Sequence, residues 1–75
     1  MVSDETLIAE TYCVLKRVPH NWWDEIEVER EIETALHLSV TSVQKRIGWL
    51  LHMKLVERRT GRGIVPSMEI RKVGR

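Results

Sequence analysis

The chain has 75 residues, 12 Lys and Arg against 11 Asp and Glu, a net charge of +1 and 43% hydrophobic residues, the size of one domain near the lower limit for a core without staples. A single cysteine excludes an intramolecular disulfide, and no Cys/His cluster has zinc-site spacing. No apolar run approaches the roughly 20 residues that span a bilayer, and the acidic start Met1–Glu5 lacks the features of a signal peptide, so a soluble, cytoplasmic single domain over 1–75 is expected.

The small net charge conceals an uneven distribution. Residues 1–36 hold nine acids against three bases, a balance of −6, and residues 37–75 hold nine bases against two acids, a balance of +7. A dipolar chain of this kind offers its basic half to a polyanion and its acidic half to solvent or a basic partner.

The first helix is expected over 4–17, with Ser3 as N-cap and Asp4 and Glu5 in the first turn, where the helix dipole favours acids. At about 100° per residue, Leu7, Ile8, Thr11, Val14, Leu15 and Val18 share the inward side. Ala9, Glu10, Cys13, Lys16 and Arg17 lie opposite, and Pro19-His20-Asn21 breaks the helix. Residues 22–36 admit two readings. Asp24 and Glu27 have capping-box spacing, with Trp23 and Val28 as a hydrophobic staple, which starts a helix at Asp24. Alternation of Trp22, Asp24, Ile26 and Val28 with Trp23, Glu25 and Glu27 instead gives a short strand before a helix starting near Glu29. Both readings turn Val28, Ile32, Ala35 and Leu36 inward and set the glutamates between 25 and 33 on a solvated or partner-facing side.

A third helix follows the tight turn at Leu36-His37-Leu38, with Ser39 as N-cap or Thr41 and Gln44 capping two residues later. Val43, Ile47, Leu50 and Leu51 form its buried stripe. Thr41, Lys45, Gly48 and His52 point outward, flanked by Ser42, Gln44, Arg46 and Trp49. Hydroxyls, a bidentate amide, a lysine and an arginine are the groups that hydrogen-bond base edges and phosphates. Trp49 is expected to pack against the first helix or the hairpin. Val56–Arg59 and roughly Ile64–Val73 are the strands of that hairpin, with Thr60-Gly61-Arg62-Gly63 as its turn. Pro66 marks an edge or a bulge, and Met68 and Ile70 alternate inward.

Ile32 to Arg59 resembles the winged helix-turn-helix DNA-binding domains of small transcription regulators without a gap. The turn Leu36-His37-Leu38-Ser39, the inward Val43, and Leu50 to Arg59 running into Leu55-Val56-Glu57-Arg58-Arg59 carry the resemblance. It implies an α+β, mostly helical fold of three helices plus a C-terminal β-hairpin wing. It further implies a recognition helix over about 39–53 in the major groove and a wing over about 55–73 on the backbone or minor groove. Carried over, the double-stranded DNA contacts are Ser39, Thr41, Ser42, Gln44, Lys45, Arg46 and His52 on the helix, with Arg58, Arg59 and Arg62 on the wing. His37 and Lys54 stand where the family usually has glycine, so both turns require a left-handed or distorted backbone. A chain of this size suits regulators of phages, plasmids and other mobile elements, and a palindromic site would imply a homodimer, paired through the first helix or the exposed tryptophans. With about six basic groups on phosphates, log K against log salt would have a slope near −5.

Nothing in the sequence suggests an enzyme, a cofactor, a metal or a small-molecule ligand. It has no phosphate-binding glycine loop or nucleophile elbow, and His20, His37 and His52 fall on three separate segments. Two other functions stay open: a winged-helix interaction module that docks a basic protein through its acidic half, and the initiator domain of a replication protein.

Overall fold

Punctuation in the sequence sets the elements, and the helices' apolar stripes set how they pack. The computed structural model describes residues 4–61, 63 and 67–74. In chain order it contains α1 (Asp4–Arg17), β1 (Trp23–Asp24), α2 (Glu25–Leu36), α3 (Val40–His52), β2 (Val56–Thr60) and β3 (Met68–Lys72). The fold is α+β: three helices against a three-stranded antiparallel sheet in which β3 lies between β1 and β2. Ser3, Arg62, Ile64 and Pro66, to which the sequence assigned a cap, a turn contact, a strand start and an edge, lie outside the described residues.

Both readings of residues 22–36 are partly right. Trp23 and Asp24 pair with Ile70 and Glu69 as a two-residue strand, and the helix starts at once behind them. Asp24 is its N-cap, but its carboxylate accepts from the Ile26 N–H at 2.9 Å rather than from Glu27. The α2–α3 corner is made without glycine. His37 adopts φ 54°, and the Leu38 N–H closes on the Glu33 carbonyl at 3.3 Å, a left-handed helix end. Ser39 then caps α3, its hydroxyl accepting from the Ser42 N–H at 3.2 Å. At the other end of α3, Lys54 takes φ 61° while the Leu55 N–H returns to the Leu50 carbonyl at 2.9 Å. His37 and Lys54 are thus both left-handed, a conformation that costs a side chain about 1 kcal/mol or more.

The core is Val14, Val18, Val28, Ile32, Val43, Ile47, Leu50, Val56 and Ile70, with Leu15, Leu36, Leu38, Leu51 and Leu55 packed on it. Three residues expected inside are not. Ile8 and Met68 are exposed, as is Ala35. Beyond the strands, the Lys72 N–H bonds the Pro19 carbonyl at 2.7 Å and the Val73 N–H bonds the Leu55 carbonyl at 3.0 Å. These two bonds tie the hairpin's second strand to the segments after α1 and α3. No helix among the described residues is long and apolar enough to cross a membrane.

Candidate nucleic-acid interface

Burying Val43, Ile47 and Leu50 on α3 forces the opposite side of the helix outward. That side carries Thr41, Gln44, Lys45, Gly48 and His52, all exposed. Lys45 makes no ion pair with any described residue. A Cβ built on Gly48 would meet nothing within 4 Å, so the middle of the row is open to a close-approaching surface. Thr41, Gln44, Lys45 and His52 present donors and acceptors at one-turn spacing, the chemistry needed to contact base edges and phosphates.

Other sequence-selected residues are engaged inside the protein. Arg46 is the main correction: it is buried, not on the outward face. Its guanidinium donates to the Ser42 carbonyl at 3.0 Å and pairs with Glu10 of α1, and its Nε has no partner among the described residues. The signal was present, since Arg46 follows Val43 by three residues and precedes Leu50 by four, which places it on the edge of the buried stripe. Ser39 and Ser42 are occupied with capping, the Ser39 hydroxyl donating to Ser42 Oγ at 3.1 Å. Gln44 stays exposed yet hydrogen-bonds the carboxyl of Glu29.

The hairpin arginines divide by strand periodicity. Arg58 and Arg59 are neighbours, so they point to opposite faces of the sheet. Arg58 shares its face with the buried Val56 and Ile70 and pairs with Glu25 in the first turn of α2 at 2.6 Å. Arg59 sits on the other face, directly across from Glu69, which it meets at 2.8 Å, and Arg71 pairs in the same way with its cross-strand neighbour Glu57. Trp22 lies against this charged face, 4.2 Å from the Arg59 guanidinium and 4.5 Å from that of Arg71. Cross-strand charge pairs and cation–π contacts of this kind each contribute about 0.2–1 kcal/mol. They hold the hairpin in place, and they also neutralise it.

Sequence reasoning missed Glu29. It is buried between α2, α3 and β2. Burial raises its pKa above the usual 4.5, and Glu25 and Glu33 push the same way against the Gln44 hydrogen bond and Arg58. Its position was legible, for it precedes Leu36 by seven residues and so shares the inward side of α2. Among the described residues no group of His, Cys, Asp and Glu could hold a metal ion.

Comparison with known protein families found no match, and neither the curated proteins nor the solved structures yielded one.

Proposed function

We propose that this chain is a winged helix-turn-helix domain that binds double-stranded DNA with sequence preference, as a small transcription regulator does. In this reading α3 enters the major groove, and the β2–β3 hairpin is the wing, set along the backbone or minor groove. The element order with β3 central in the sheet supports the winged form. One observation carries the function: the exposed row Thr41, Gln44, Lys45, Gly48 and His52 on the helix that follows the turn. Arg46 is left out of the contact set because Glu10 holds it, and Arg58 and Arg59 must exchange carboxylates for phosphates to take part. Fewer free cations mean a shallower salt dependence than the six-contact slope, nearer −3 for about three phosphates.

The test is binding of the purified chain to a random duplex pool at about 50 and 200 mM salt, with sequencing of the retained DNA. Enrichment of a short motif and a loss of affinity with salt are expected. No retention at the lower salt would remove DNA as the partner.

A second reading, docking of a basic protein, has its own observation. Trp23, Val28, Glu27 and Glu31 line a surface cavity of about 280 Å³ together with Arg17 and Pro19, an acidic and aromatic recess that suits a cationic side chain. Salt-sensitive capture of a basic protein, with no DNA binding, would favour it.

A further inference from the structure

On α1, residues four apart lie along one ridge of the helix. The ridge Asp4, Ile8, Tyr12, Lys16 is exposed at every position. It reads acid, apolar, apolar, base, so turned end for end it is its own complement. The two apolar positions are large and uncovered, with Ile8 51% and Tyr12 56% exposed. Across a groove from them, α3 contributes Trp49 and its C-cap contributes Met53, each 46% exposed. These four residues and Thr11 line a cavity of about 310 Å³. Four half-exposed side chains of this size offer on the order of 400 Å² of apolar surface in one patch, at the scale where a patch on a small protein marks an interaction site.

We propose that this patch is the interface of a two-fold homodimer in which α1 packs antiparallel on α1 of a second copy. Centring the axis near residue 10 sets Ile8 against the partner's Tyr12 and Asp4 against the partner's Lys16, each contact occurring twice by symmetry. Trp49 and Met53 flank this seam and supply the aromatic anchor that interfaces of this size require. A stable dimer buries at least about 500 Å² per protomer, about a tenth of the 5649 Å² this chain exposes. The charges favour a second copy over a nucleic acid, because the ridge carries one acid and one base rather than a basic stripe. On α3 the patch adjoins the outward row, since Thr41, Lys45, Trp49 and Met53 follow one another at four-residue spacing, each turned by about 40° from the last at about 100° per residue.

Sedimentation equilibrium without DNA, from micromolar to sub-millimolar protein, tests the assignment. The wild-type chain should dimerise, and Tyr12→Glu should raise the dimer Kd at least about tenfold, as loss of a central aromatic contact does. Asp4→Lys puts like charges opposite each other at both symmetric positions and should also weaken association. The double variant Asp4→Lys with Lys16→Asp restores the opposition and should recover it. All these positions are exposed, so far-ultraviolet circular dichroism should remain that of the wild type. A wild-type chain that stays monomeric throughout overturns the proposal. So does a dimer indifferent to Tyr12→Glu, or a charge reversal that the second reversal fails to rescue.

Discussion

Arg46 and Glu10 form an ion pair that joins α3 to α1, and it converts a residue that looks like a DNA contact into part of the scaffold. The arginine is nearly enclosed, whereas the carboxylate keeps about a third of its side chain in solvent, 34%. Loss of the arginine therefore strands a partly hydrated acid rather than a fully buried one. Arg46→Ala should lower the unfolding free energy by about 2 kcal/mol, below the range for a wholly buried pair. Replacing both partners, Glu10→Leu with Arg46→Met, should recover stability to within about 1 kcal/mol. Urea unfolding of the three chains checks both statements, and an Arg46→Ala chain as stable as the wild type would contradict the first.

Glu29 makes stability depend on pH with a definite sign. Its carboxyl is pushed above 4.5 in the folded chain, so the folded state holds a proton that the unfolded state has released. Stability then falls as pH rises from about 4.5 through the higher folded value, and the penalty is absent below that window. Glu29→Gln removes the charge while keeping a side chain that can bond Gln44. The variant should be more stable than the wild type at neutral pH and equal to it near pH 4. Urea midpoints at the two pH values read this difference. A gain of the same size at both would place the cause elsewhere.

If α3 reads DNA, Lys45 and Glu25 should act in opposite directions. Lys45→Ala should weaken binding and relax sequence preference by about 1–3 kcal/mol of discrimination. Glu25→Gln breaks the pair that engages Arg58, freeing that arginine for a phosphate. Affinity for all duplexes should rise, and the salt slope should steepen by about 1. Fluorescence anisotropy over a salt series measures both. An unchanged slope in the Glu25 variant would mean that Arg58 never meets the backbone.

Trp22 should contribute measurably to the stability of the hairpin. With Arg59 and Arg71 both against its ring, Trp22→Leu removes two cation–π contacts of about 0.5–1 kcal/mol each. Amides of β2 and β3 should exchange faster in that variant while those of α1 keep their protection, as hydrogen exchange would show.

The sequence made the helices, the hairpin and most of the core legible because each rests on local spacing. Val14, Ile32, Val43, Ile47, Leu50 and Ile70 recur with the period of their element and are all buried. Ser39 and Asp24 are small polar residues directly before a helix, and both cap. His37 and Lys54, for which the resemblance alone implied a left-handed or distorted backbone, are both left-handed. What remained hidden depends on contacts between elements distant in the chain. The partner of Arg46 lies 36 residues away and that of Arg58 lies 33 away, separations that no helical or strand period encodes. Arg58 and Arg59 looked like a single basic tip until strand alternation and the register with β3 separated them. Ile8 matched the inward face of α1 by angle, yet it is exposed because none of the described residues covers that end of the patch.

The most direct test of the central claim is a titration of isotope-labelled protein with duplex DNA, followed by amide chemical shifts. The account predicts that the largest changes fall on Thr41, Gln44, Lys45, Gly48 and His52, with smaller ones in β2 and β3 and almost none on the outer face of α2. Shifts centred on Trp23, Glu27 and Glu31, or a spectrum that duplex DNA leaves unchanged, would contradict it.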